Sequence, residues 1–271
     1  QESASDEHPP IEARRDVTPR LAAMAARPQR RYAEEEEPLV GSKNGLLSDE
    51  PPEVRSGFIQ KVYGILFCQL LLTTLVASPF VLNEGLKNYI KYSGGPIVLL
   101  ACVANIMFLC AMICPCGCEQ NMRTYPTNYL LLGGFTITEG VLVGVISAKY
   151  TAASVFFAMG LTAFLVGGLS LYAMYTGTDF TDMGGYLFAV LMAFICLGFM
   201  LAFVGGPLAH KIYCFIGILL FSMFLIYDTQ LIMGKGELAI GIDDYVFASL
   251  QLYCDIIQLF LYILQLFGNQ D

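Results

Sequence analysis

The sequence predicts an all-α membrane protein with seven transmembrane helices. Three observations carry that prediction. Seven apolar runs stand near residues 62–82, 96–114, 128–148, 152–175, 186–204, 212–233 and 244–267. Each is close to the ~20 residues an α-helix needs to cross the hydrocarbon core. The chain of 271 residues is 56% hydrophobic and only 14% charged, with mean hydropathy +0.60. Soluble domains carry roughly 25% charged residues, so the soluble classes are excluded. The runs show no period-two alternation of the kind a membrane barrel requires. In lipid every backbone polar group must bond within its own segment, which leaves helices.

Taken in order, residues 1–53 read as a disordered N-terminal tail and residues 54–271 as a seven-helix transmembrane domain. The tail holds Pro9, Pro10, Pro19, Pro28, Pro38, Pro51 and Pro52, a basic stretch RPQRR and an acidic run from Glu34 to Glu37. Such a composition cannot bury enough apolar surface to offset its ordering entropy. It has no periodic face, so a solubilising leader is a better reading than a partner-docking segment. The first fifty residues contain no apolar core run of the signal-peptide kind. The net charge of −8 lies outside the apolar runs and points to no nucleic-acid partner.

Short connections between the spans make sequence neighbours antiparallel. The third and fourth spans carry Gly133, Gly134, Gly140, Gly144, Gly160, Gly167 and Gly168, whose expected role is close helix packing. Orientation is weakly coded. Lys43, Arg55, Lys61, Arg123 and Lys235 fall on the tail side, against Lys87, Lys91, Lys149 and Lys211 opposite. With the distal tail arginines leaning the same way, the expectation is a cytoplasmic tail. Seven spans then place Asp271 on the far side. A re-entrant last run would instead leave both ends cytoplasmic.

The last two spans hold the most informative residues. The sixth ends FSMFLIYDTQLIM and carries Asp228; the seventh, DYVFASLQLYCDIIQLFLYILQLF, carries Asp255. A carboxylate in the bilayer centre costs roughly 2.5–3.5 kcal/mol on insertion scales, so it faces a cavity or a partner and marks an ion or proton path. Asp244, Ala248, Gln251, Asp255, Gln258, Tyr262 and Gln265 recur at steps of four and three. That spacing puts them on one helical face, so the last helix should be surrounded by its neighbours. Glu139, in the middle of the third span, is a third intramembrane acid. It either lines the same path or bonds a neighbouring helix.

Four stretches bear a family resemblance. They are VRSGFIQKVYGILFCQLLLT, TYPTNYLLLGGFTITEGVLVGVI, IYDTQLIMGK and DDYVFASLQLYCDIIQLFLYILQLFG. Over roughly residues 53–268 the chain resembles the transmembrane Bax inhibitor motif family, and within it the Lifeguard branch. The resemblance implies a last helix placed centrally and wrapped by the other six. It implies a pH-sensitive calcium leak in intracellular membranes, the endoplasmic reticulum or Golgi, with the plasma membrane as the alternative. It also implies a cytoprotective, anti-apoptotic role, with apoptosis regulators or calcium channels as partners. No cofactor is expected beyond transported or bound calcium.

The family's paired aspartates fall on Asp228 and Asp255. Two carboxyls sharing a low-dielectric site cannot both ionise without strong repulsion, and they titrate as a coupled pair. With one proton shared they form a closed latch. With both ionised they offer oxygens to a hard cation. Calcium takes 6–8 oxygens, so two carboxylates make a weak site that Thr229, Gln251 or Gln258 would complete. Asp228 lies near the end of its span and Asp255 about eleven residues into the next, so the pair meets only if the sixth helix is inset or the seventh starts late. Bacterial members of the family pair an aspartate with an arginine on the second span. Here IVLLACVANIMFLCAMIC has no cation, and Asn105 is its only strong polar group. An aspartate–aspartate or aspartate–amide latch is therefore expected.

Cys110, Cys114, Cys116 and Cys118 cluster where the second span leaves the membrane. Reduced thiols rank first there, S-palmitoylation at Cys114, Cys116 and Cys118 second, and zinc last, since the spacing lacks paired C-x2-C ligands. Cys68, Cys196, Cys214 and Cys254 are expected to be small packing residues. Three other functions compete. An intramembrane aspartyl protease shares Tyr227–Asp228, but Asp255 follows Leu252, Tyr253 and Cys254 rather than Gly-x-Gly, and few of the required roles are filled. A seven-helix receptor would need Asp-Arg-Tyr after the third span, which reads SAKYTAA. A non-transporting scaffold regulating calcium channels and apoptosis proteins needs no acid pair at all.

Overall fold

Pro52 begins the first helix and Phe267 ends the last. The computed structural model describes Leu47 and residues 51–113, 123–235 and 240–270. Most of the tail, and Cys114, Cys116 and Cys118, lie outside the described residues; Leu47, which falls within the expected tail, is fully buried and its N–H donates to Ile240 O at 3.1 Å. Among the described residues the helices are α1 (Pro52–Leu82), α2 (Glu84–Ser93), α3 (Gly95–Ile113), α4 (Thr127–Ser147), α5 (Ala152–Tyr175), α6 (Gly184–Val204), α7 (Pro207–Ile232) and α8 (Tyr245–Phe267). All but α2 are long and apolar enough to cross a membrane. Described residues form no strand; Tyr150 and Gln270 pair in an isolated bridge. The chain is an all-α integral membrane protein.

Local chemistry sets the helix ends. Pro52 occupies the first turn of α1, where a missing N–H is harmless, and Glu53 complements the dipole there. This polar start carries α1 ten residues beyond the apolar run predicted at 62. Pro79 inside α1 cannot donate to Leu75; the Ser78 hydroxyl donates to that carbonyl at 3.1 Å instead. Asn83 ends α1 and caps α2, its side chain accepting from the N–H groups of Gly85 and Leu86 at 2.9 and 3.2 Å. At ten residues α2 is too short for a span, so the hydropathy runs passed over it. Outside the spans, Asp179 accepts from the Thr181 N–H and hydroxyl at 2.9 and 2.6 Å before α6 begins. Those bonds hold its carboxyl below the usual carboxylate range.

α7 stops abruptly. Gly234 adopts φ +72°, the left-handed conformation that ends a helix. The Gly234 N–H donates to Leu231 O at 2.9 Å and the Lys235 N–H to Gln230 O at 3.1 Å. These are the two bonds of a Schellman cap. The cap fixes the depth of Asp228, four residues before the helix end.

The last helix is the most enclosed. In its 18-residue apolar stretch 67% of the residues are buried, against 11–44% in those of the other spans. α8 packs against α1, α4, α5 and α7, while α3 packs chiefly on α4 and α6 on α7. Leu252, Tyr253, Leu259, Ile263 and Leu264 of α8 are fully enclosed. Leu99 and Leu100 on α3 and Phe188 and Phe199 on α6 face outward, where lipid is the solvent. In lipid no hydrophobic force drives one helix onto another, so close fit and buried hydrogen bonds decide the packing.

The glycines divide, though not purely by helix, since a Cβ on Gly133 of α4 would meet nothing within 4 Å. A Cβ on Gly134 would strike the Phe108 ring, one on Gly140 would press on Val76, and one on Gly144 would strike Phe80. These α4 glycines let α1 and α3 approach. On α5 a Cβ at Gly160, Gly167 or Gly168 would meet nothing within 4 Å. The packing role expected for the fourth-span glycines is therefore not what they do. The cysteines divide too: Cys214 is buried, whereas Cys68 and Cys196 are exposed on the outer surface.

Candidate functional site

Asp228 and Asp255 are each 5% exposed. Their carboxyls lie against each other, close enough to interact directly. Gln251, one turn before Asp255 on the same face of α8, donates its amide N–H to Asp228 Oδ1 at 3.3 Å. The helix ends explain how the two depths match. Asp255 is ten residues from the start of α8 and Asp228 four from the end of α7. At 1.5 Å per residue α7 therefore stops ~9 Å short of the α8 start. The sixth span is inset, and the cap at Gly234 insets it.

Asp255 Oδ2 is buried and accepts from no N–H or hydroxyl of the described residues. An orphan carboxyl oxygen beside a second carboxyl is chemically suited to a proton or a cation. Thr229 is buried next to Asp228 in sequence, and Gln258 is half-buried a turn beyond Asp255. Among the described residues no three His, Cys, Asp or Glu side chains converge on one point. A calcium ion here would draw on two carboxylates plus amide, hydroxyl or water oxygens.

Glu139 has a hydrogen-bond partner of its own on a neighbouring helix. Asn105 of α3 donates to Glu139 Oε2 at 2.8 Å and to Thr138 Oγ1 at 3.4 Å. The amide expected as a possible latch partner for an aspartate thus serves the third acid instead. It binds α3 to α4.

Three surrounding features escaped the sequence reading. The first is a clamp just beyond Asp228. Gln230 Oε1 accepts from the Phe180 N–H at 2.7 Å, and its amide donates to Thr178 O at 2.9 Å. Lys235 Nζ donates to Ala173 O and Thr176 O, each at 3.1 Å. Together they tie the end of α7 to the end of α5. The only sequence signal was a buried-span Gln two residues after the acid.

The second feature is an aromatic box around Tyr262, two turns beyond Asp255. Phe194 of α6 and Tyr213 of α7 stack at 4.1 Å with an interplanar angle of 1°. Tyr262 stands edge-on to both, at 5.7 and 5.9 Å, and Phe221 closes a third side at 5.8 Å. Gly198 has no Cβ where the Tyr213 hydroxyl lies, and Gly217 none where the Tyr262 ring lies. The third is a cavity of about 1000 Å³ past the box, lined by Gln265, His210, Lys211 and Gln270 among others. At the opposite end of α8, Arg123 donates to both Asp244 oxygens at 2.7 and 3.0 Å, and Lys61 Nζ sits 3.5 Å from the Tyr245 ring centroid. The polar stripe thus runs from a surface ion pair, past the acids, to an aromatic box and a cavity of mixed lining, where His210, Lys211, Gln265 and Gln270 stand among apolar residues such as Ile195, Phe199 and Leu201.

Comparison with known proteins gives a consistent answer. The family described as inhibitor of apoptosis-promoting Bax1 matches residues 55–271. A Mus musculus protein named Protein lifeguard 3 is 34% identical over 224 residues, covering 81% of this chain and 71% of that one. Its Homo sapiens namesake is 32% identical over 241 residues, 87% of this chain and 76% of that one. An Arabidopsis thaliana BI1-like protein is 34% identical over 229 residues, 83% of this chain and 85% of that one.

Proposed function

The chain belongs to the family of inhibitors of apoptosis-promoting Bax1, and from that premise we propose that it is a pH-sensitive calcium leak channel gated by Asp228 and Asp255. The observation that carries this reading is the buried carboxyl pair with its orphan oxygen, Asp255 Oδ2. Under acid conditions one shared proton lets one carboxyl donate to the other, and α7 is held against α8. Alkali removes that proton. Two facing anions in a low-dielectric site then repel, and the latch opens. The opened face presents Gln251, Asp255 and Gln258 to a hard cation, which takes oxygen ligands. Passage onward requires Tyr262 to leave its box. The seventh span is the fixed element against which α1, α4, α5 and α7 pack. The setting we assign is an intracellular membrane with a cytoplasmic tail, an anti-apoptotic role, and apoptosis regulators or calcium channels as partners.

The test is calcium flux into liposomes carrying the purified full chain, measured across pH. Flux should rise with pH in the wild type. Asp255→Asn should suppress it or flatten its pH dependence. Unchanged flux and an unchanged profile in that variant would sink the pair model. Cleavage of a helical membrane peptide in the same liposomes, abolished by Asp228→Asn, would point to a protease instead.

A further inference from the structure

Four helices leave a gap that none of them fills. A cavity of about 490 Å³ lies between α1 and α5, backed by α8, with α4 at one end. That volume is within the ~300–1,000 Å³ of small-ligand sites. On α1 it extends from Leu70 to Leu82 and on α5 from Val155 to Gly167. Twelve residues at 1.5 Å make it ~18 Å long, an elongated slot rather than a round pocket. The lining is mainly apolar, the hydroxyls of Thr73, Thr74, Ser78 and Thr162 donate to carbonyls of their own helices, and the back wall is Ile256, Ile257 and Phe260. The rim residues Leu82 and Phe156 are 63% and 62% exposed. The slot is therefore continuous with the apolar outer surface of the bundle.

What enters such a slot is decided by the medium. Water does not fill an apolar cavity of this kind. An empty slot would leave its walls without dispersion partners. The liquid outside the rim is lipid chain. One end also differs from the other. Ser147 lines the slot where α1 ends and α5 begins, which is interface depth. Its hydroxyl is buried, 1% exposed as a residue, and has no hydrogen-bond partner among the described residues. A buried unpaired hydroxyl calls for an acceptor or donor. The opposite end, at Leu70 and Gly167, reaches the membrane middle.

We propose that this slot is a binding site for one acyl chain of a bilayer phospholipid, which enters sideways between α1 and α5. The ester carbonyl at the top of the chain accepts from Ser147, and the methyl end lies toward Gly167. The bare Cα of Gly167, which no packing demand explains, is then what leaves room for the chain.

The experiment uses the full chain in phosphatidylcholine vesicles doped with a phosphatidylcholine carrying a diazirine midway along one chain. After illumination, labelled residues are mapped and the lipid retained through detergent extraction is measured by native mass spectrometry. In the wild type, labelling should concentrate on slot residues such as Val166 and Ile257, and a single lipid should be retained. Gly167→Phe fills the slot without a clash and should abolish both; Ala163→Leu is a second filling variant should the first be poorly expressed. Ser147→Ala should weaken retention. Gly168→Phe, on the same helix but on the face of the outward Phe164 and Leu171, should leave both intact, with melting temperatures confirming that all variants fold. Labelling spread evenly over outward residues such as Phe188 and Phe199, or retention indifferent to Gly167→Phe, would overturn the proposal. Retention indifferent to Ser147→Ala would overturn the assigned direction of the chain.

Discussion

Glu139 and Asp255 are both carboxyls in the middle of apolar helices, but they have been partnered differently. Glu139 meets an amide, Asn105, at 2.8 Å. Asp255 meets another carboxyl. An amide N–H can satisfy a carboxyl oxygen whatever the pH, because Asn does not titrate. A carboxyl can satisfy another only while a proton lies between them. The first arrangement is a fixed bond between α3 and α4. The second is a bond whose existence depends on protons, between α7 and α8. The surroundings differ accordingly. The pair has an orphan oxygen, a clamped helix end on one side and an aromatic box followed by a cavity of mixed lining beyond. Burying an acid is thus insufficient to mark a switch; the chemistry of its partner separates a fastener from a latch.

The sharpest way to break that contrast is at the pair. Asp255→Asn should lower calcium flux about tenfold at alkaline pH, the effect of losing ~1.4 kcal/mol of interaction. Its residual flux should be flat with pH, since the proton-dependent bond is gone. Glu139→Gln keeps an amide-to-amide contact with Asn105 and should leave the pH profile of the wild type. If Glu139→Gln flattened the profile as Asp255→Asn does, the two acids would not be different kinds of site.

Next in size is the constriction. Tyr262→Ala removes the ring that stands edge-on to Phe194 and Tyr213. Aromatic pairs of this kind contribute about 0.5–1.5 kcal/mol each, so the closed state loses several such contacts. Basal flux should rise in acid as well as alkali, while the midpoint of the remaining pH response stays with the acid pair. A variant with wild-type flux in acid would show that the box does not obstruct the path.

The seven spans were legible because ~20 consecutive apolar residues is a direct compositional signal. Their ends were less so. α1 starts at Pro52 and α7 at Pro207 rather than at 62 and 212, since the polar first turns of a helix do not register in hydropathy. The two aspartates were legible from the cost of placing them in lipid, and the enclosure of α8 from its polar stripe. That they meet was a conditional expectation, and the cap at Gly234 supplies the condition. The choice Asn105 makes between Glu139 and an aspartate was not legible. It depends on which turn of α3 faces which turn of α4, and that register is set by Phe108 lying against the bare Gly134. The aromatic box was hidden for the same reason: Tyr262 stood in the stripe, but Phe194 and Tyr213 lie on two other helices.

Asn105→Ala probes the fastener directly. It leaves Glu139 without its donor in a half-buried site between α3 and α4. Hydrogen bonds between membrane helices are worth about 0.6–2 kcal/mol, so the bundle should unfold that much more easily in denaturing detergent. Flux per folded molecule and its pH profile should not move. A shifted profile at preserved stability would place Glu139 on the path.

The smallest effect should come from the third acid contact of α8. Arg123 grips Asp244 with two hydrogen bonds, at 2.7 and 3.0 Å, which is good geometry. The setting, however, is the membrane surface: the Arg123 side chain is 60% exposed and that of Asp244 20%. Water and salt screen such a pair, and exposed ion pairs measure about 0–1 kcal/mol. Arg123→Ala should therefore cost a few tenths of a kcal/mol, on the order of what exposed pairs give, and the cost should shrink as salt is raised. Buried carboxyls respond to protons and are shielded from salt by the protein around them; Asp244 should show the reverse. Measuring stability and flux of Arg123→Ala across salt and pH decides this. A salt-independent loss, or a shifted pH midpoint, would mean that Asp244 is coupled to Asp228 and Asp255 along α8, and the stripe would then act as one unit instead of a surface pair and a latch.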